Sequence, residues 1–375
     1  MSIVKKDKNV NTFLSLVRAG LWETSVKLLF FDEIDFEEIF RLAEEQSVLG
    51  LVTSGLERVK EATVPKDVVL RFVGSTLQIE HRNLSMNEFL ANLFEEIENE
   101  GIHAILVKGQ GIAQCYERPL WRSVGDIDLL LYEKDYYRAF QLLSKKADRI
   151  DNEQKYNLHQ SLFISNYEVE LHGSLRGGVW SNIDKTVDDV QKDVFLKQNV
   201  RYWFNEKKII PLPSVNNDIV FIFAHILQHL YKGGVGLRQI CDLCRLLWFG
   251  FNQCNEGLLY DRIRKMGALS EWYILGSFSF YYLGYPKEKF PLYKDLLGWR
   301  FRISCLLSFI LETGNFGHNR DYSYYVTHTY IVRKVISFIR HTIDSFKLFI
   351  ISPRGASKSW CSMINTGIKA IIRLK

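Results

Sequence analysis

Apolar positions along this chain change period twice. Over residues 10–100 they recur every three or four positions. Ile39, Leu42, Ala43, Val48 and Leu51 fall on one stripe, as the buried side of a helix requires. Asn11 or Thr12 is placed to cap a first helix, and Asp35 a second, with Glu38 three residues on as in a capping box. Pro65 sits where a long helical pattern begins, and that pattern runs to about Glu100. After Gly101 the period shortens. IHAILV suits a strand, KGQG reads as a turn, residues 112–116 suit a short helix that Pro119 breaks, and DIDLLL reads as a second strand. Residues 133–147 return to helical spacing. Residues 156–172 read as a hairpin, SLFIS then YEVELH. In its second arm Tyr167, Val169 and Leu171 take one face, and Glu168, Glu170 and His172 the other. Residues 200–210 suit further strand. From Asn216 onward NNDIVFIFAHILQHLY, GLRQICDLCRLLWF and later segments are again helical, with no repeat of fixed period.

The pattern predicts an α+β fold, a small mixed β-sheet flanked by helical N- and C-terminal regions. We expect a helical N-terminal region at 1–100, an α/β core at 101–213, a helical C-terminal domain at 214–325 and a basic amphipathic helical tail at 326–375.

Composition sharpens this picture. Of 375 residues, 47% are hydrophobic and 24% charged, which is the balance of a globular chain able to bury real cores. Six cysteines are too sparse for a disulfide scaffold and favour reduced thiols in a cytoplasmic setting. The single CDLC pair, Cys241 and Cys244, lacks a second pair and lies in an apolar helix, so buried free thiols are expected there. The N-terminal stretch has lysines but no apolar core followed by a small-residue cleavage site, so no signal peptide is expected. The longest uncharged stretch, 272–286, is shorter than the ~20 apolar residues of a membrane span.

Net charge is +5, but residues 326–375 hold nine Lys and Arg against one Asp, which leaves the remainder at −3. Arg333, Lys334, Arg340 and Lys347 punctuate Ile, Val, Phe and Leu in this tail. Three readings stay open: a helix packed on the body with a solvated face, contact with an anionic membrane surface, or contact with an RNA backbone.

The candidate chemistry lies in residues 105–131, ILVKGQGIAQCYERPLWRSVGDIDLLL. Asp126 and Asp128 sit in an apolar strand, where Asp is disfavoured and a buried charge is costly unless paired or bound to metal. Residues two apart in a strand share a face, so both carboxylates converge as hard oxygen donors suited to Mg²⁺. A third acid on a later strand, Glu170 with Glu168 as its rival, would let two Mg²⁺ ions be held together. Gly109 and Gln110 would offer backbone N–H groups to phosphates, and Lys108 and Arg122 would neutralise phosphate charge. This arrangement suits nucleotidyl transfer from a nucleoside triphosphate (NTP). His172 is open between a structural role, hydrogen bonding to the acid beside it, and acid–base work. His225 and His229 share a helix face but have no third zinc ligand close in sequence, which favours core or cleft histidines. Asp242 is placed to pair with one of them or with Arg238.

These residues resemble the nucleotidyltransferase superfamily with the DNA polymerase β-like catalytic fold. More narrowly, they resemble a bacterial group of uncharacterised nucleotidyltransferases with a Lys-Gly turn. The resemblance is carried by Val107-Lys108-Gly109, Arg122, Gly125-Asp126-Ile127-Asp128-Leu129-Leu130, Glu170-Leu171-His172, and His225/His229 followed by Asp242. It covers roughly residues 30–250. It implies a Mg²⁺-dependent enzyme that moves an NMP from an NTP to an acceptor and releases pyrophosphate. Asp126, Asp128 and Glu170 would be the catalytic, metal-binding set. The acceptor is open among a sugar phosphate, a tRNA, a protein and a small metabolite. The turn departs from the superfamily, with Gln110 where a phosphate-binding Ser is usual, and the third acid is Glu rather than Asp. These departures keep a second reading, a nucleotide-binding or regulatory module of the same fold. A third is an accessory protein acting at a membrane or on RNA through its tail.

Overall fold

The computed structural model describes residues 8–60, 62–153, 158–323 and 327–373; the remaining positions, at the edges of several segments expected above, lie outside the described residues. The N-terminal region is helical: α1 (Lys8–Trp22), α2 (Phe36–Glu45), α3 (Leu49–Leu56) and the long α4 (Lys66–Asn99). Asp35 caps α2, its carboxylate accepting from the Glu37 and Glu38 amides, while Glu38 reaches forward to Arg41 and closes no capping box. Asn11 and Thr12 lie inside α1 rather than at its start, because the helix already runs from Lys8. Pro65 stands at the N-cap of α4.

The sheet comes next. β1 (Ala104–Val107) leads into α5 (Gly109–Ala113), so the helix begins at the expected turn itself and ends before residue 116. Pro119 opens a 3₁₀ turn, Pro119–Trp121. Then come β2 (Asp126–Leu131), α6 (Lys134–Leu143), the short β3 (Arg149–Ile150), β4 (His159–Ile164) and β5 (Tyr167–His172). Their order in the sheet is β1-β2-β5-β4-β3. Only β2 and β5 run parallel, and the other neighbours are antiparallel, so the sheet is mixed. Helix α7 (Ser181–Leu196) follows. A separate hairpin of β6 (Val200–Asn205) and β7 (Lys208–Pro213) then lies against β1 instead of extending the main sheet.

Alternation along the strands divides two cores. Ala104, Leu106, Ile127, Leu129, Leu131, Val169 and Leu171 face α4 and α6. Ile105, Val107 and Leu130 face the other way, into a larger core with α1–α3 and the C-terminal helices α8 (Val215–Lys232), α9 (Leu237–Phe249), α10 (Glu256–Met266), α11 (Leu269–Leu283) and α12 (Trp299–Thr313). That larger core draws on all four segments of the sequence. All six cysteines are free thiols, with Cys241 and Cys244 fully buried.

Helices α1 and α3 touch backbone to backbone. A Cβ on Gly20 would stand 1.9 Å from the Leu51 carbonyl oxygen, and one on Gly55 would stand 2.2 Å from that of Leu16. Gly55→Ala should therefore force the helices apart and destabilise by about 3 kcal/mol. Gly74→Ala, in α4 with open space around it, should instead stabilise by about 0.5–1 kcal/mol through helix propensity. Chemical denaturation of both variants checks the opposite signs.

Candidate active site

β2 and β5 pair so that Asp126 stands beside Glu168, Asp128 beside Glu170 and Leu130 beside His172. Paired residues in neighbouring strands share a face, so two acids from each strand are brought to one side of the sheet. The ligand oxygens of Asp126, Asp128 and Glu170 all lie within 4.8 Å of one another. Glu168 is drawn instead toward Ser161, which hydrogen-bonds its carboxylate. Of the two rivals, Glu170 is thus the one that lies with Asp126 and Asp128.

Two side chains hold this charge. Lys108 Nζ donates to Asp128 Oδ1 at 2.7 Å, and His172 Nε2 meets the same oxygen at 2.8 Å. His172 Nε2 also lies 3.2 Å from Glu170 Oε2, as does His159 Nε2 from β4. Burial opposes ionisation of Glu170, but the nearby imidazoles of His159 and His172, with Lys108, outweigh it and hold the carboxyl well below the usual range. Burial also works against charge on Lys108 and His172, yet the surrounding carboxylates raise both above their ordinary values. Asp126 is pushed up to about 6 by burial and by the neighbouring charges of Asp128 and Glu170, with Lys108 and Arg238 offsetting part of the shift. Lys108 itself sits at φ 56°, ψ −141°. A non-glycine residue there costs about 1–3 kcal/mol, and such strain persists only where the surroundings fix it. Gly109 follows at φ +33°, and a Cβ on it would stand 3.3 Å from the Asp126 carbonyl oxygen.

These groups line one wall of a cleft of about 400 Å³, within the range of small-molecule sites. The other wall comes from α8 and α9: Phe221, His225, Gln228 and His229, then Arg238 and Asp242. The His225 and His229 rings meet edge to face at 4.3 Å, and Phe316 stacks edgewise on His229 at 4.6 Å. Burial, then Lys108, pushes His225 well below its ordinary range and His229 down to about 3, so both are neutral wall groups. The sequence expectation of cleft histidines agrees with this placement.

Arg122 is placed differently from its expected companions. Its Nε and one terminal nitrogen reach the two Asp242 oxygens at 2.8 and 2.7 Å, and Tyr116 donates to Asp242 Oδ1 at 2.7 Å. Asp242 therefore pairs with neither His225, His229 nor Arg238. It ties the loop before β2 to α9. Arg238 donates from Nη1 to the Ser123 carbonyl at 2.6 Å, while its buried Nε finds no hydrogen-bond partner among the described residues. The Gln110 side chain is buried against Asn83, and the cleft wall includes Lys108 and Gly109 but not Gln110. Only its backbone amide is left for a ligand.

Among the cleft residues that the sequence reading did not place there are His159 and Arg238. His159 was legible in principle. Ile164 pairs with Tyr167 across a two-residue turn, and counting outward places His159 opposite His172. The hairpin arm was simply begun too late, at Ser161. Arg238 carries no local signal, because it reaches the site only through the packing of α9.

The raised Asp126 value means that the folded protein holds this proton more tightly than the unfolded chain. Above about pH 6 the ionised group opposes folding, and below about pH 4 that opposition vanishes. With a chelator present, Asp126→Asn should stabilise the fold at pH 7 by on the order of 2 kcal/mol. The gain should fade as pH falls from 6 towards 4. Thermal melts across that range check the sign.

Three clustered carboxylates, a strained Lys-Gly turn and a cation-bearing opposite wall thus meet in one cleft. No curated protein and no solved structure matches the chain. One family does, described as "Uncharacterised nucleotidyltransferase", over residues 32–278. That span runs from the approach to α2 into α11 and takes in both carboxylate strands and the α8–α9 wall. With a match over most of its length, the chain belongs to this family of nucleotidyltransferases, enzymes whose acceptor is undefined.

Proposed function

We propose that this enzyme transfers an NMP unit from an NTP to an acceptor in a Mg²⁺-dependent reaction at the Asp126–Asp128–Glu170 cluster. The observation that carries the reading is the convergence of those three carboxylates on one cleft that also holds Lys108 and Arg238. The donor set suits the ion, since three clustered oxygen ligands beside room for a triphosphate match Mg²⁺, which binds through a few carboxylates plus substrate phosphates. When bound, Mg²⁺ would draw charge from the phosphates and favour the attacking and leaving oxygens of an in-line displacement.

The chain's own residues divide the remaining work. In the overall exchange the acceptor oxygen forms a bond to the α-phosphorus, the bond to the bridging oxygen breaks, and pyrophosphate leaves with the electron pair. The acceptor proton passes to a base. Glu170, kept ionised by its two imidazoles, is better suited to holding a cation than to taking that proton, because a carboxyl held so low is a weak base. Asp126 and Asp128 complete the cation set. Lys108, now on Asp128, stands where it would meet a phosphate oxygen. Arg238 supports the second phosphate contact, because it lines the cleft and its charge acts on Asp126, while the Arg122 fork is already engaged by Asp242. Gly109 keeps the turn close against β2, and the amides of Gly109 and Gln110 are its phosphate donors.

Incubating the protein with each α-phosphate-labelled NTP, Mg²⁺ and a cell lysate should move label onto a discrete species. Asp128→Asn, which keeps the shape of the side chain, should reduce that transfer about a thousandfold, as loss of a preorganised electrostatic group does, with a melt of the variant to show that it is folded. Full activity in that variant would reject the site, and calorimetric NTP binding without label transfer would leave a binding module. Arg238→Ala should weaken Mg²⁺–NTP binding about 10–100-fold at unchanged melting temperature, the worth of a charge-assisted hydrogen bond. Arg122→Ala should instead destabilise the fold by about 3–5 kcal/mol, since it strands the buried Asp242.

A further inference from the structure

The tail has a polarity opposite to that of an ordinary surface helix. The helix Tyr330–Ile351 follows α12 and lies beyond the residues matched by the family. Its inner side is fixed to the body by Leu348 and Ile351, both buried in the larger core. Asp344, the one acid of the tail, is held inward by Arg320 at 2.6 Å, and Lys347 pairs with Glu312 of α12. The outward side carries Val335, Phe338, Ile339, Ile343, Phe346 and Phe349. Each is about half exposed or more, and Phe346 reaches 73%. Spacings of three and four place these six on a single stripe. A surface helix normally turns such a stripe to the core and its charges to water. Here several charges hold the body and the apolar stripe meets solvent.

Three further observations say what covers it. Residues 326–375 hold nine Lys and Arg against one Asp, and that Asp is spent on Arg320. Arg333, Arg340 and Lys347 recur every seventh residue along one edge of the apolar stripe; Lys347 is held by Glu312, while Arg333 and Arg340 donate to the His328 and Asp321 backbone carbonyls and keep their charge. The following helix, Pro353–Arg373, sets Trp360 beside the stripe, with its Nε1 donating to Thr342 Oγ1 at 3.4 Å. Among the described residues no helix is long and apolar enough to cross a membrane. A second copy of the chain would bring two tails of like charge together across a two-fold axis. An RNA backbone would satisfy the cations but leave the Ile and Val positions in water.

We infer that the helix Tyr330–Ile351 docks in the plane of an anionic phospholipid surface. Its apolar stripe enters the acyl boundary, the basic edge meets lipid phosphates, and Trp360 sits at headgroup level. The inference does not depend on the chemistry of the cleft.

The test uses the full chain and flotation with vesicles of phosphatidylcholine alone or mixed with phosphatidylglycerol. The protein should float with the mixed vesicles, float at least tenfold less with the neutral ones, and be released by raised salt. Ile339→Glu with Phe346→Glu, both at exposed positions, should cut anionic-vesicle binding at least tenfold while the melting temperature and any nucleotide binding stay as in the parent. Arg333→Glu with Lys334→Glu should weaken binding and flatten its salt dependence. Absence of flotation, or equal flotation of parent and Ile339→Glu/Phe346→Glu, overturns the inference. So does a concentration-dependent dimer in light scattering that the same double variant abolishes, which assigns the stripe to a second copy. Retention of an RNA homopolymer that the apolar double variant leaves unchanged, without flotation, also overturns it.

Discussion

Asp128 is 1% exposed, and one of its oxygens is shared by Lys108 and His172. A carboxylate buried to that extent is tolerated only with compensating charge and hydrogen bonds, so its neighbours are constrained in turn. Lys108 must leave β1 in a left-handed conformation to reach it, which puts Gly109 hard against the start of β2. His172 must stand on β5 in parallel register with β2, which also brings Glu170 beside Asp128. One buried charge thus links the turn, the strand order and the third acid.

The same sheet explains why the acids open to a cleft. Its lower half is apolar on both faces, so helices cover it on both sides: α4 and α6 on one, the large helical core on the other. At the Asp126 end the inner face turns polar, and α8 and α9 can no longer close upon it. The Arg122–Asp242 pair ties α9 to the loop before β2, and Arg238, four residues earlier on that helix, thereby lines the cleft across from the carboxylates.

The tail follows a different logic. Its inner contacts include ion pairs as well as two buried aliphatics, and its outer stripe is apolar. The cleft and the stripe lie in different parts of the chain, one inside the region shared with the family and one beyond it.

Much of this was legible in the residues themselves. Period determined the change from helix to strand to helix, since side-chain direction is local geometry. The pairing of Asp126 with Asp128 on one face needed only strand alternation, and Asp35 and Pro65 marked helix starts by their own backbone chemistry. Glu170 could be placed on the right face of its strand, but not chosen over Glu168, because that choice depends on which acid the parallel register sets beside Asp128 and which one Ser161 engages. Arg122 and Arg238 look alike as sequence. Only the packing of α9 decided that the first is neutralised by Asp242 and the second lines the cleft that holds the acids. The tail was visibly basic and amphipathic, yet which side met the body was set by Arg320, Glu312 and the core, far away along the chain. The sequence by itself determined what depends on neighbours within a few residues. The tertiary structure decided what depends on charges and contacts brought together from distant segments, where burial makes each pairing matter.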